Sequence, residues 1–164
     1  MFDSNVGRWV GFAILLAGTI ALSIYLKGHG EPLCRAGYAI GKFELAFTQE
    51  KAKEIVNAWG EANVNIARAD IHLDFAFIAC YSLLLAMVCN AAASHLHGAW
   101  QTAGVVLAWG MLGAGLLDCL ENAGMLMMLD GNYGPVLWVS ICAATKFALA
   151  LFGLTYILAA HLVR

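Results

Sequence analysis

The sequence predicts an all-α integral membrane protein of four transmembrane helices, with an amphipathic helical insert between helices 1 and 2. Three observations lead there. Of 164 residues, 62% are hydrophobic and only 12% charged, with a mean hydropathy of +0.75; about a quarter of a soluble domain is charged. Most of the charges are gathered in one segment, Lys27 to Asp74. Four long runs carry none. So little charge cannot coat a globule in water, so lipid must be the solvent for most of the chain. The length suits a single domain over 1–164.

The first expected span covers about 9–26, "WVGFAILLAGTIALSIYL". At 1.5 Å per residue this reaches about 27 Å, close to the ~30 Å hydrocarbon core of a bilayer. No small-x-small cleavage site follows it, so it reads as a retained helix rather than a signal peptide. The insert is expected over about 38–59. In "FTQEKAKEIVNAWG", Ala52, Ile55, Val56 and Trp59 fall on one stripe, with Glu50, Lys51, Lys53, Glu54 and Asn57 mostly elsewhere. Thr48 suits an N-cap and Gly60 a stop. Upstream, Tyr38, Ile40, Phe43, Leu45 and Phe47 add apolar surface.

The second, third and fourth spans are expected over about 62–95, 100–129 and 135–163. Their charge-free parts are Phe75–Ala93, Trp100–Leu117 and Phe147–Val163, and "SHLHG" and "DGNYGP" separate them. Such short breaks make neighbouring helices antiparallel. Four spans then place both termini and the 94–98 loop on one face, and the insert with the 130–135 turn on the other. Trp9, Trp100 and Tyr156 suit one interface, Tyr25, Trp59, Tyr133 and Trp138 the other. Six Lys and Arg in the insert, against Arg8 and Arg164 opposite, favour a cytoplasmic insert face.

Counted inward from the face of the termini, each span meets its first charge at a similar depth. Lys27, Asp74, Asp118 and Lys146 follow 17 to 19 uncharged residues, or roughly 25–29 Å. One explanation is that hydrocarbon ends there. The chain turns apolar again beyond that depth, however, in "AGMLMML", in "PVLWVSICAAT" and at Val64, Ala67 and Ile71. Such a surface needs cover, and the insert is the one candidate to provide it. The expectation is therefore a polar layer between a bundle below and an apolar cap above, or a bundle shifted so that the layer lies within the hydrocarbon.

Asp118, Glu121, Asn122 and Met125 share a helical face, and Asp70, Asp74 and Tyr81 share another. The candidate site is Asp74, Asp118, Glu121, Asn122, Lys146 and Tyr81, with Arg68, Asp70, His72 and Lys27 at its rim. Lys27 and Lys146 fall one short of Asp74, Asp118 and Glu121. Either Arg68 balances the count, or a carboxyl is protonated, or a cationic ligand is present. Three uses fit such a layer: a network fixing helix register, a site for an amphiphile's polar end, or proton transfer or ion-coupled transport.

Several classes are excluded. A net charge of −2 without a basic patch speaks against nucleic acid. Cys34, Cys80, Cys89, Cys119 and Cys142 form no C-x-x-C, which rejects a thiol oxidoreductase; they read as small buried hydrophobes. No Glu-x-x-His pair and no histidines at matching depth suggest a metal or haem, so no cofactor is expected. Small residues on the first helix (Gly11, Ala17, Gly18, Ala21) and the third (Gly104, Gly110, Gly113, Gly115) permit close packing within the bundle, in a homodimer or against a partner in a membrane complex.

The acidic residues in a small bundle are similar in concept to membrane sterol isomerases of the emopamil-binding type. That resemblance is one of chemistry; "LDFAF", "DCLEN" and "TKF" do not align with that family's motifs, and no residue role carries over. The pattern "FELAFT…W…LDFAF…Y…DCLEN" also resembles small bacterial membrane proteins of no assigned activity, which implies a bacterial inner (cytoplasmic) membrane. The leading expectation is a protein that binds, and processes or transports, a membrane lipid or amphiphilic small molecule. A structural or accessory subunit without a ligand is the alternative, and an isomerase-like proton-transfer enzyme comes third.

Overall fold

The computed structural model describes residues 4–162, whose regular structure is entirely helical. The elements are α1 (Ser4–His29), α2 (Glu31–Arg35), α3 (Ile40–Glu44), α4 (Gln49–Ala93), α5 (Ala99–Leu129) and α6 (Val136–Leu162). Helices α1, α4, α5 and α6 are long and apolar enough to cross a membrane. Val163 and Arg164, used above for the end of the fourth span and for the count of basic residues, lie outside the described residues.

The insert has more helical pieces than the one helix expected between Thr48 and Gly60. It consists of α2, α3 and the first part of α4, because the backbone turns left-handed at Gly37 (φ 106°) and again at Phe47 (φ 55°). Thr48 then caps α4, its hydroxyl accepting from the Lys51 amide at 3.2 Å. Gly60 (φ 68°, ψ 171°) kinks the chain where the sequence suggested a stop, and helix resumes at once. Between Thr48 and the kink, Ala52, Ile55 and Trp59 are buried while Lys53, Glu54 and Asn57 are exposed. Trp59 Nε1 donates to the Tyr38 carbonyl at 2.7 Å and its ring lies 5.2 Å from that of Phe43, tying the three pieces together.

Helix α5 is the centre of the bundle, packed between α4 and α6, which also touch each other; α1 lies along α4. Glycines set how close the helices come. A Cβ on Gly104 would fall 2.2 Å from the Tyr156 hydroxyl, one on Gly115 2.8 Å from Ser82 Cβ, and one on Gly124 2.4 Å from Val139 Cγ2. Gly11 and Gly113 meet nothing, so part of the small-residue pattern serves this bundle and part does not.

The buried apolar side chains form two clusters. One gathers Leu33, Phe43, Ile55, Trp59, Ile71, Met125, Met128 and Val139 from the insert and the adjoining ends of α4, α5 and α6. The other gathers Cys89, Leu96, Met111, Tyr156 and Ala160 toward the opposite end. On α4, α5 and α6 alike, the stretch between them carries buried polar residues: Ser82, then Asp118, Glu121 and Asn122, then Ser140 and Lys146; Asp70, beside Ile71, is buried outside it. The start of α1, the α4–α5 turn and the end of α6 meet at that opposite end, where Arg8 and Trp9 share a groove with His95, and His95 another with His161. Cys89 alone of the five cysteines is fully buried; Cys34 is exposed and the others are half-buried, which corrects their reading as core residues.

Candidate functional site

The layer is organised around one ammonium group. Lys146, on α6, reaches across to α5 and places Nζ 2.5 Å from Asp118 Oδ1 and 3.1 Å from Glu121 Oε1. The side chain is 9% exposed, Asp118 5% and Glu121 fully buried, so water contributes little to these pairs. Tyr81, on α4, donates its hydroxyl to Asp118 Oδ2 at 2.8 Å. Two helical turns before it, Asp74 accepts from Asn122 Nδ2 at 2.8 Å. All six site residues read from the sequence therefore meet, contributed by α4, α5 and α6.

A fourth carboxyl joins them. Glu44, at the end of α3, lies 3.6 Å from Lys146 Nζ through Oε2. Ser140 holds it there: its Oγ donates to the Glu44 carbonyl at 2.8 Å and accepts from the Phe47 amide at 2.9 Å. Sequence reasoning took the "KFELAF" segment as apolar cover and missed its acid. The signal was present, because Glu44 is the one carboxylate between Ala36 and Thr48. Burial pushes the Glu44 carboxyl above its ordinary range, against the opposing pull of Lys146.

Glu121 Oε2 is a buried acceptor with no donor. It is 3.0 Å from Lys146 Nζ, but off the direction a hydrogen bond requires, and Oε1 takes that bond instead. Four carboxylates, Glu44, Asp74, Asp118 and Glu121, thus face one ammonium. With every group ionised the layer carries −3.

The rim residues divide. Arg68, which the sequence offered as a balancing charge, pairs instead with Asp130 past the end of α5, at 2.6 Å. His72 is exposed, its Nδ1 2.7 Å from the Arg68 carbonyl oxygen, and takes no part in the layer. Asp70 is buried and hydrogen-bonded to His29 of α1, Oδ1 to Nδ1, at 2.6 Å. Lys27 is exposed, yet its side chain helps to line a cavity. These departures share one cause: α1 packs on the Asp70 side of α4, whereas Arg68 and His72 lie a different way round the helix.

That cavity, of about 310 Å³, opens onto the layer between α1, the insert, α4 and α5. Leu26, Leu33, Ile40, Ile71 and Met125 wall it, and Glu44, Asp74 and Asn122 of the layer also line it. Its size is at the small end of the ~300–1,000 Å³ typical of small-molecule sites. Among the described residues no group of three or more His, Cys, Asp or Glu side chains is arranged to hold a metal ion; the point where the carboxylates of the layer converge is taken by Lys146.

Comparison with protein-family models, with curated proteins and with solved structures finds no match. The functional reading therefore rests on the site alone.

Proposed function

We propose that this is a four-span protein of the bacterial inner membrane, with both termini on one side and the insert folded over the other. In this reading it binds a lipid or other amphiphilic small molecule at the acidic layer. The observation that carries it is the cavity, whose lining joins apolar walls to Glu44, Asp74 and Asn122 of the layer. An amphiphile entering from the bilayer exchanges one apolar environment for another and gains polar partners at one end. The insert belongs to the same reading, because α3 supplies both a wall and a carboxyl.

A structural or accessory subunit is the second reading, and the ion pairs filling the space around Lys146 favour it. They account for Asp118 and Glu121 Oε1 but leave Asp74 with a single amide donor. Proton transfer on the bound molecule would use the same carboxyls.

The test is mass spectrometry of small molecules retained through purification in a mild non-ionic detergent, for the wild type and the near-isosteric Asp74→Asn. A single species at stoichiometric level in the wild type and depleted in the variant is the expected result. The same bulk lipid in both, at equal occupancy, would favour the accessory subunit.

A further inference from the structure

Two independent features fix the chemistry of the molecule the cavity would take. The first is shape: a pocket with apolar walls from five elements, α1 to α5, lined also by Glu44 and by the hydrogen-bonded pair Asp74 and Asn122. The second is charge. The ammonium of Lys146 is engaged on the far side of the layer by Asp118 and Glu121, leaving Glu44 at 3.6 Å and Asp74 with only a neutral amide. Asp70, the other acid lining the cavity, is hydrogen-bonded to His29 Nδ1 at 2.6 Å. Lys27, which is exposed, is the sole cation among the lining residues.

The deficit extends inward from the cavity wall. Glu121, fully buried, keeps an acceptor without a donor, and its neighbour Glu44 lines the cavity. Carboxylates out of water and without a counter-charge cost several kcal/mol each unless they hold a proton, so a positive head brought to Glu44 and Asp74 is favoured wherever they are ionised. An anionic head would meet like charge there, and an uncharged one would leave the imbalance as it is.

We propose that the ligand is a cationic amphiphile: an amine or quaternary ammonium head between Glu44 and Asp74, with its alkyl chain against Leu26, Leu33, Ile40, Ile71 and Met125. This rests on the reading of the cavity as a ligand site and adds the ligand's charge. Asn122 holds the Asp74 carboxylate in position and Ser140 holds the Glu44 backbone, so less ordering opposes binding.

The experiment uses the full chain in nanodiscs of zwitterionic lipid and three probes that share one chain: octyltrimethylammonium, octanol and octyl sulfate. Saturable binding is measured against nanodiscs without protein. The expected result is an octyltrimethylammonium affinity at least tenfold above that of octanol, with octyl sulfate weakest. Asp74→Asn should bring the first two together, and Glu44→Gln should do so independently should Asp74→Asn fail to fold. Ala39→Phe, which narrows the cavity without touching a carboxylate, should weaken every probe that binds. Octanol or octyl sulfate binding as tightly as the cation, and still lost in Ala39→Phe, would overturn the charge assignment while leaving the cavity a ligand site. Absence of saturable binding by all three would overturn both.

Discussion

Replacing Lys146 by Met tests whether the layer is shielded from water. The substitution keeps the length and apolar character of the stem and removes only the ammonium. In the wild type Nζ is 2.5 Å from Asp118, 3.0 Å from Glu121 and 3.6 Å from Glu44, on a side chain 9% exposed. Its loss leaves Asp118 with the Tyr81 hydroxyl alone and Glu121 with no donor on either oxygen. Removing one partner of a buried ion pair costs about 3–5 kcal/mol, chiefly because the other charge stays buried and uncompensated. The expected loss is therefore in that range, read as the unfolding midpoint in mixed micelles of increasing denaturing detergent. If an uncompensated charge is the cause, Lys146→Met combined with Asp118→Asn should be more stable than Lys146→Met alone, although it lacks one more native group. A loss below about 1 kcal/mol, the range of an exposed pair, with no recovery in the double variant, would refute the reasoning. The layer would then be open to water, and its excess of negative charge would cease to imply a ligand.

Glu44 gives the pH dependence. Its carboxyl is raised by burial and faces Lys146 of α6, Asp118 and Glu121 of α5 and, across the layer, Asp74 of α4. A carboxyl raised in the folded state contributes stability below its unfolded pKa and loses that contribution as pH rises through the folded value. Glu44→Gln should therefore flatten the stability curve above the ordinary carboxylate range, whereas octyltrimethylammonium binding to the wild type should strengthen over the same interval as Glu44 ionises. Ser140→Ala leaves the Phe47 amide without its acceptor and frees the Glu44 carbonyl; a cost of about 1–3 kcal/mol is expected, with faster hydrogen exchange confined to the 40–48 segment. Gly104→Ala puts a methyl group against the Tyr156 hydroxyl, which is bonded to the Trp100 carbonyl at 2.9 Å. About 1–3 kcal/mol of overpacking strain should follow, and the double variant Gly104→Ala/Tyr156→Phe should recover part of it.

The four long helices were legible because their signal is local: charge-free runs, Gly and Pro breaks, and a single depth at which charge reappears. The same reasoning brought Asp118, Glu121 and Asn122 onto one face and aligned them with Asp74 and Lys146, which the bundle then joins. What could not be read depends on long-range packing. Glu44 enters the layer through Ser140, 96 positions away in sequence, and Asp70 is hydrogen-bonded to His29 across 41 positions. Neither separation leaves a period in the sequence. The short helices α2 and α3 were not legible for a different reason: each is five residues long, too short to show a helical period.

The missed carboxyl changes what the layer means. Without Glu44, Lys146 among Asp74, Asp118 and Glu121 is two positive charges short, or one once Lys27 is counted, and a network that merely fixes helix register is a sufficient account. With Glu44, the excess of negative charge grows, while Arg68 and His29 are each engaged elsewhere. A register-fixing network gains nothing from surplus acid: each additional uncompensated carboxylate raises the cost of burial and adds no specificity that Asn122 and Tyr81 do not already supply. The surplus also lies on the side where the cavity opens, beside α1, whose apolar stretch has no buried residue. Stability alone would favour an apolar residue at position 44, in keeping with its neighbours Phe43 and Leu45. An acid there is costly for the fold and useful to a molecule that brings positive charge from the bilayer, which is why the function is sought at Glu44 and Asp74 rather than at the better-satisfied pair of Lys146 and Asp118.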